Sequence, residues 1–268
     1  MRILVTGGTG FLGQHLARTL LHAGHRVSIM GRTMQTAQSL IDAGAIPIVA
    51  DLRNRDQVKA ACAEMDAVYH VGAFSAPWGK AADFHAINVG GTEAVVMGCR
   101  VHNVRRLIYI SSPSVVFDGR DQHNANEMVP YPRHFTSVYS LTKKLGEDIV
   151  HDAATFGLET VILRPKAIFG PGDQSLLPRL IEAARQQRLP QIGNGRNLVD
   201  LTYVENVVSA LQLALTATNA VGKVYTITND DLSSMLRPLL QVSNLLPYQP
   251  AERDCRAECV PHVRLLLV

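Results

Sequence analysis

The chain has 268 residues, of which 47% are hydrophobic and 18% are charged, and its formal net charge at pH 7 is +3. This composition is sufficient to bury a substantial core, and the mild charge, without a long basic run interleaved with aromatic residues, argues against a nucleic-acid partner. No apolar run reaches the length of a membrane span, so we expect a soluble, cytoplasmic protein. The closely spaced arginines are expected on the solvated surface: Arg53, Arg55, Arg105 and Arg106.

Short β-branched runs alternate with longer helical patterns along the first 165 residues, which is typical of a parallel sheet covered by helices. Strands are predicted at residues 3–5, 27–30, 46–49, 67–70, 107–111 and 160–163. Helices are predicted at residues 14–23, around 58–63, and at 88–100 and 139–155. The predicted fold class is therefore α/β, with a doubly wound parallel sheet.

Beyond residue 165 the pattern changes, because proline and glycine cluster at residues 169–173 and 190–195. A smaller cap of loops with a helix at 176–187 is predicted there, followed by a strand at 223–228. We divide the chain into a sheet domain at 1–165, a partial cap at 166–231 that shares some sheet elements, and a tail at 232–268. The tail lacks clean periodicity, and our hypothesis is truncation or an altered reading frame.

The four cysteines do not have the spacing of a disulfide framework. Cys62 and Cys99 fall in alanine-rich helical stretches and are predicted to be small buried apolar groups. Cys255 and Cys259, with His262 nearby, match no zinc module, so no metal site is predicted.

Residues 6–13 read Thr-Gly-Gly-Thr-Gly-Phe-Leu-Gly, directly after the first strand and at the start of the first helix. Gly7 permits a tight turn, Gly10 lets the backbone approach a phosphate, and Gly13 allows close packing of helix and strand. A helix N-terminus also presents free N–H groups to an anion. The stretch therefore predicts a site for the pyrophosphate of a dinucleotide.

Tyr139 and Lys143 are four residues apart in a predicted helix, so they lie on one face about one turn apart. A cation held there makes the phenolate of the tyrosine easier to form, and the phenol can then exchange a proton near neutral pH. Together with the glycine stretch, this pair predicts an enzyme that transfers a hydride.

The glycine spacing and the Tyr-x-x-x-Lys pattern resemble the extended short-chain dehydrogenase/reductases. Further motifs match over residues 1 to about 229: Asp51-Leu52, His70-Val71-Gly72-Ala73, Asn88-Val89-Gly90-Gly91-Thr92, Leu163-Arg164-Pro165 and Phe169-Gly170-Pro171-Gly172-Asp173. Residues 111–117 and 76–79 are similar to the 3β-hydroxysteroid dehydrogenase branch and to bacterial reductases of long-chain 2-alkyl-3-keto acids. The resemblance implies a Rossmann-type sheet, a small C-terminal substrate cap, and a catalytic domain at 1–165.

By this resemblance, Tyr139 donates a proton to a carbonyl in reduction or acts as the base in oxidation. Lys143 is expected to bind the nicotinamide ribose and to lower the pKa of the phenol. Ser112 is expected to donate a hydrogen bond to the substrate oxygen, and Asn88 to position backbone and water.

The charge at the end of the second strand bears on the choice of cofactor. Gly31-Arg32 stands where members that prefer NAD usually have an acid. A guanidinium can bind a 2′-phosphate through paired hydrogen bonds, so NADP(H) is favoured, with NAD(H) as the alternative. The cofactor-binding residues implied beside Tyr139 and Lys143 are Gly7, Gly10, Phe11, Leu12, Gly13, Arg32, Asp51, Leu52, Gly72, Ala73 and Pro165.

Ser112 is favoured over its neighbours Ser111 and Ser114 because it aligns with the motif. Aromatic residues on loops expected at the carboxyl ends of the strands suit a bulky apolar ketone or alcohol. The substrate contacts predicted are Phe74, Trp78, Ser114 and Phe169.

Two other functions and the oligomeric state stay open. A nucleotide-sugar epimerase or dehydratase with tightly bound NAD could use Arg179 and Arg196 to hold a diphosphate. A nucleotide-sensing protein without catalysis is the other alternative. A homodimer is compatible with the sequence.

Overall fold

The computed structural model describes residues 1–123, 125–186, 188, 198–229 and 232–234. The strands in these ranges are β1 (Arg2–Thr6), β2 (Arg26–Gly31), β3 (Ile46–Val49), β4 (Ala67–His70), β5 (Arg106–Ile110), β6 (Glu159–Pro165), β7 (Ala167–Phe169), β8 (Leu198–Tyr203), β9 (Lys223–Ile227) and β10 (Leu232–Ser234). The α-helices are α1 (Phe11–His22), α2 (Gln38–Asp42), α3 (Arg55–Ala61), α4 (Ala81–Phe84), α5 (Gly91–Val101), α6 (Val138–Thr155), α7 (Leu177–Arg185) and α8 (Val204–Thr216).

The described residues divide into two compact units. The first contains Met1–Pro165 and Val207–Ile227, and the second contains Lys166–Asn206 and the described residues from 228 onward. In the first unit, seven strands form one parallel sheet in the order β3-β2-β1-β4-β5-β6-β9. The α/β fold class is confirmed, and each strand predicted before residue 165 is present within two residues of its predicted bounds.

The strand order reverses between β1 and β4, which are neighbours in the sheet although two strands separate them in the chain. Parallel strands joined by crossovers leave a crevice at the carboxyl ends of such a pair, and ligands bind there in open α/β sheets. Thr6 ends β1 and His70 ends β4, in the same register. The glycine stretch and the His70-Val71-Gly72-Ala73 motif therefore leave the sheet side by side.

The core lies on both faces of this sheet, because its central strands are covered by helices. β4 and β5 are buried along their whole length, which is typical of a strand covered on both sides. Cys62 and Cys99 are free, fully buried thiols within the hydrophobic cluster, as predicted. Within the described part of the chain, no helix is long and apolar enough to cross a membrane.

Arg106 is buried, contrary to the prediction that placed it on the surface. Only 1% of its surface is exposed, and its guanidinium lies 2.8 Å from the carboxylate of Glu159. Its Nη1 donates to the last carbonyls of α8, those of Ala214 and Leu215, and to the carbonyl of Ala217 just beyond the helix. These carbonyls have no partner within the helix and lie at its negative end, so a buried cation is stabilised there. The other three arginines in that prediction are exposed.

In the second unit, β8 pairs with β7 in parallel and with β10 in antiparallel orientation. Loops were predicted where β7 and β8 lie, because proline and glycine cluster next to both segments. Asp173 accepts the N–H groups of Ser175, Leu176 and Leu177, and so orders the turn that leads into α7. Residues 190–195 and 235–268 of the predicted cap and tail lie outside the described residues, as do Arg196, Cys255, Cys259 and His262.

Candidate active site

The glycine stretch folds into a tight turn that packs against the loop after β4. Gly7 has a φ of +66°, and a Cβ on it would lie 2.6 Å from Cα of Gly72. Helix α1 begins at Phe11, three residues earlier than predicted, so Gly13 lies in its first turn. A Cβ on Gly13 would lie 2.1 Å from the carbonyl oxygen of Gly7. Only glycine fits at these two positions.

The N-terminus of α1 is suited to bind a phosphate. Gly10 is its N-cap, and in the described structure no side chain accepts from the first turn. The N–H groups of Phe11 and Leu12 therefore open the helix toward an anion. A Cβ on Gly10 would meet only the Gly7 carbonyl oxygen, at 3.3 Å, so the turn itself does not require glycine there as strictly as at Gly13.

The end of β2 cannot accept an acidic side chain without rearrangement. A Cβ on Gly31 would lie 2.6 Å from Oγ1 and 2.7 Å from Cγ2 of Thr9 in the glycine turn. Arg32 follows with an exposed side chain. Asp51 accepts two side-chain hydrogen bonds from Arg53, at 3.0 and 2.6 Å. These bonds, with a smaller contribution from the charge of Arg32, lower the pKa of Asp51 to about 2.

Leu52 packs under the loop that follows β4, since a Cβ on Gly72 would lie 3.0 Å from Cδ1 of Leu52. The N–H of Gly72 donates to Oγ1 of Thr6 at 3.2 Å. Ala73 follows in the same loop, and Pro165 ends β6. The structure therefore brings Leu52, Gly72 and Ala73 together with the glycine turn at the edge where β1 and β4 end.

Tyr139 lies in the first turn of α6, beside Ser112. The helix starts with a reciprocal capping pair in which the side chains of Ser137 and Ser140 bind each other's backbone N–H groups. The Ser112 hydroxyl beside it lowers the pKa of the Tyr139 phenol, but burial has the larger effect and the pKa is raised. In the protein alone the net shift is upward, because desolvation disfavours the phenolate, and the lowering effect expected of Lys143 stays a prediction.

Ser112 also contacts Ser114, while Ser111 faces another way. The Ser112 hydroxyl accepts the N–H of Ser114 at 3.2 Å and lies 2.9 Å from its hydroxyl. Ser111 is 3% exposed and buried behind the strand end. The structure thus distinguishes the three serines, and it places Ser112 next to the phenol.

Lys143 is buried under Tyr139, with 2% of its surface exposed. Its ammonium donates to the carbonyl of Ile110 at 2.6 Å and lies 4.1 Å from the ring centroid of Tyr109. Burial lowers the pKa of Lys143 to about 7, although the negative charge of Glu147 opposes this shift. The ammonium is therefore held rigidly at the carboxyl end of β5.

A buried ion pair supports Lys143 from the next turn of α6, and the sequence analysis did not identify it. Glu147 is fully buried and accepts two hydrogen bonds from Arg164, at 2.8 and 2.6 Å. The Tyr131 hydroxyl donates to Glu147 at 2.7 Å and accepts from Arg164 at 2.9 Å. Burial is the largest single effect and raises the pKa of Glu147, but the hydrogen bonds and charge of Arg164, together with smaller contributions that include the Tyr131 hydroxyl, hold this pKa below its ordinary value. The spacing of four residues after Lys143 was the available signal.

Asn88 lies in a π-helical turn, His85–Gly90, which joins α4 to α5. Its side-chain amide accepts the N–H of Phe74 at 2.7 Å and donates to the carbonyl of Phe74 at 3.1 Å. The same Nδ2 donates to the hydroxyl of Thr142 on α6, at 3.1 Å. Asn88 is 2% exposed, so it holds the loop after β4 against α6 and does not face solvent. Single π-helical turns are frequent at functional sites.

The predicted substrate contacts are not equally placed. Phe74 is half-buried, with its ring 4.6 Å from that of Phe84. Trp78 is 56% exposed on the same loop. Phe169 belongs to the second unit, where its ring lies 5.6 Å from that of Tyr203.

Known proteins resemble this chain along most of its length. The profile of the 3-beta hydroxysteroid dehydrogenase/isomerase family matches residues 4–239. A 2-alkyl-3-oxoalkanoate reductase of Stenotrophomonas maltophilia (strain K279a) is 42% identical over 239 residues, which are 86% of this chain and 71% of that protein. The decarboxylating sterol-4-alpha-carboxylate 3-dehydrogenase of Mus musculus is 39% identical over 235 residues, which are 85% of this chain and 64% of that protein. This chain thus spans about two thirds of the length of these curated relatives.

Among solved structures, the UDP-glucuronic acid 4-epimerase of Bacillus cereus in complex with UDP-glucuronic acid and NAD has a TM-score of 0.81. It is 27% identical, and the alignment covers 94% of this chain and 85% of that one.

Proposed function

Since the chain belongs to the 3-beta hydroxysteroid dehydrogenase/isomerase family and is an NAD(P)-dependent oxidoreductase, we propose that it interconverts a ketone and a secondary alcohol on a bulky, largely apolar substrate. The hydroxyl of Ser112 beside the Tyr139 phenol, with buried Lys143 one turn along α6, is the observation that carries the proposal. These three side chains lie at the carboxyl end of the sheet, beside the turn that suits a dinucleotide.

Tyr139 is the acid–base group of the proposed reaction. Burial raises the pKa of its phenol, so the phenol is protonated near neutral pH and can donate to the oxygen of a ketone. Ser112 lies beside that phenol and can donate to the same substrate oxygen. A protonated phenol is the form that reduction of a ketone requires.

The residues of the glycine turn fit a nicotinamide dinucleotide, which supplies or accepts the hydride when it is bound. The uncapped N-terminus of α1 would hold the pyrophosphate, with the N–H groups of Phe11 and Leu12 as donors. Lys143 would bind the nicotinamide ribose. Asn88 acts as a positioning residue, because its polar atoms are already bonded to the protein.

NADP(H) is the cofactor that the end of β2 favours. The position where an acid would repel a 2′-phosphate is Gly31, and the Thr9 side chain leaves no room for a larger residue. Arg32 is exposed, and its charge reaches Asp51 across the sheet edge. A guanidinium placed there can bind a phosphate group with charge-assisted hydrogen bonds.

Arg32→Ala should weaken NADPH binding by about 1–3 kcal/mol, the scale of a lost charge-assisted hydrogen bond, while NADH binding changes little. Dissociation constants from fluorescence titration with both nucleotides measure this. Arg55→Ala is a matched control, because Arg55 is also exposed and pairs with Glu93 on the surface. Equal losses for NADPH and NADH would show that Arg32 does not read the 2′-phosphate.

The substrate class can be tested with a panel of ketones of increasing size. NADPH oxidation, followed by absorbance, should be fastest with a long-chain 2-alkyl-3-oxo acid or a 3-ketosteroid and slow with a small ketone such as cyclohexanone. The names of the relatives motivate the two bulky substrates. Absence of turnover with every ketone, under conditions where NADPH binds, would contradict the proposed function.

A nucleotide-sugar epimerase is the second candidate, favoured by the likeness to an epimerase bound to NAD. Arg179, which that reading would use, lies on α7 in the second unit. Denaturing the purified protein and identifying any released nucleotide separates the two readings, together with an NMR assay of UDP-glucuronic acid interconversion. Released NAD and sugar interconversion would favour the epimerase.

A further inference from the structure

His70 is fully enclosed at the end of β4, with 1% of its surface exposed, and both ring nitrogens have a hydroxyl partner. Nδ1 lies 2.7 Å from Oγ1 of Thr6, at the end of β1. Nε2 lies 3.0 Å from Oγ1 of Thr92, on α5. The imidazole therefore bridges the strand before the glycine turn and the helix after the π-helical turn.

The neighbouring hydrogen bonds determine which nitrogen carries the proton. The Thr92 hydroxyl is 2.6 Å from the carbonyl of Asn88, and because a carbonyl only accepts, Thr92 must donate its single proton there. Thr92 can then only accept from His70, so Nε2 carries a hydrogen. In a neutral ring Nδ1 is bare, and it accepts from the hydroxyl of Thr6. The Thr6 oxygen in turn accepts the N–H of Gly72 at 3.2 Å.

The ring stays neutral for physical reasons that agree with this pattern. Burial, and to a smaller extent the charge of Lys143, lower the pKa of His70 to about 3. A second proton on Nδ1 would also face the Thr6 hydroxyl, which would have to turn its own proton away. Every polar atom of the ring is satisfied only in the Nε2–H form.

The same chain of bonds continues to the catalytic helix. The bonds described so far end at the backbone carbonyl of Asn88. From the side chain of the same residue, Nδ2 donates to the hydroxyl of Thr142 at 3.1 Å. Thr142 donates to the carbonyl of Tyr139 at 3.0 Å. In each of these bonds the donor lies on the side of the loop after β4, and the acceptor lies on the side of the Tyr139 backbone. Asn88, Thr92 and Thr142 are buried, so water does not compete for these bonds.

We propose that His70, in its Nε2–H tautomer, is a positioning residue that couples the glycine turn to Asn88 and thereby to the backbone of Tyr139. His70 does not touch the reacting atoms, so it acts through its hydrogen-bond partners Thr6 and Thr92 and through its ring contact with Tyr109. For its effect on catalysis the inference rests on the proposed function, whereas the tautomer does not.

The tautomer is tested on the wild-type protein labelled with ¹⁵N-histidine, without cofactor or substrate. Long-range ¹H–¹⁵N correlations at pH 7 should show a protonated Nε2 and an unprotonated Nδ1 for His70, assigned by the signal lost in His70→Gln. If that variant does not fold, the buried ring is assigned by its slowly exchanging ring N–H proton, on whichever of the two nitrogens that proton lies. A ring protonated at Nδ1 would overturn the proposal whether or not the protein is a reductase.

Coupling to the site is tested with a matched pair at Thr92. Thr92→Val keeps the volume and removes the hydroxyl, whereas Thr92→Ser keeps the hydroxyl and removes a methyl group. If the hydrogen-bond chain positions the site, Thr92→Val should lower kcat by about 10–100-fold, as expected for a small misplacement of reacting groups. Thr92→Ser should keep most of the wild-type kcat. If only packing matters, Ser will be the more damaging change, and that result would overturn the proposal. KM for the ketone should change less than kcat in Thr92→Val.

A control separates positioning from loss of stability. Val68→Ala removes two methyl groups from a fully buried side chain on the same strand, two residues before His70, outside this hydrogen-bond chain. It should lower the melting temperature through the cavity it leaves, yet retain kcat below that temperature. An equal fall in kcat for Val68→Ala and Thr92→Val would show that turnover follows stability alone. If no ketone is turned over by the wild type, the proposed function fails while the tautomer result still stands.

Discussion

Tyr139→Phe should reduce turnover by about 100-fold or more while cofactor affinity is retained, since positioned acid–base groups contribute about 10²–10⁴-fold to rates. The substitution keeps the ring and removes the one proton that the site can deliver to a ketone oxygen. The hydroxyl of Ser112 stays in place, so substrate binding should change little. Steady-state kinetics with the best ketone, and NADPH titration, provide the two measurements.

Tyr69→Phe is the matched control for this variant. Its hydroxyl is also buried and donates to the carbonyl of Leu211 at 3.0 Å, but it lies in β4 and has no part in the proposed chemistry. Loss of that bond should lower stability by about 0.5–1.5 kcal/mol and leave turnover nearly unchanged. Near-normal turnover in Tyr139→Phe would remove the phenol from the mechanism.

Gly13→Ala should abolish cofactor binding and lower the melting temperature. The added Cβ would lie 2.1 Å from the Gly7 carbonyl oxygen and 2.8 Å from Cα of Gly8, and both are backbone atoms that no rotamer change can move away. Overpacking of this kind usually destabilises by about 1–3 kcal/mol, and here the displaced atoms form the turn itself. Calorimetry and NADPH titration measure the two effects.

Substitutions at two other glycines, Gly90 and Gly10, are the controls for this experiment. Gly90→Ala should be neutral or stabilising, because Gly90 has helical dihedral angles and its Cβ would meet only the His85 carbonyl oxygen, at 3.9 Å. Gly10→Ala should leave the fold largely intact and weaken the binding of NADPH, because a bound phosphate would occupy the space that the new methyl group enters. A Gly13→Ala protein with wild-type melting temperature and affinity would contradict the role assigned to the turn.

Local patterns predicted the fold and the family correctly. β-branched runs and glycine spacing report on neighbouring residues, so the strands of the sheet and the turn before α1 could be located without long-range information. The resemblance drawn from the motifs is confirmed by the family profile over residues 4–239. Tyr139 and Lys143 were recognisable because helical spacing places them on one face whatever else surrounds the helix.

Other features depended on residues far apart in the chain. Arg106 belongs to the core only because α8, more than a hundred residues later, presents its last carbonyls to it. The same spacing that identified Lys143 suggested a lowered phenol pKa, but the net shift is upward because burial is a property of the whole fold.

By itself, the amino-acid sequence determined the α/β sheet, the dinucleotide turn and the Tyr139–Lys143 pair, because each depends on periodicity or on a short motif. Tertiary structure alone decided that Ser112 lies beside the phenol, that Glu147 pairs with Arg164, and that the ring of His70 lies between the hydroxyls of Thr6 and Thr92. The physical reason is that hydrogen bonds and desolvation act between side chains that only the packed sheet and helices bring together.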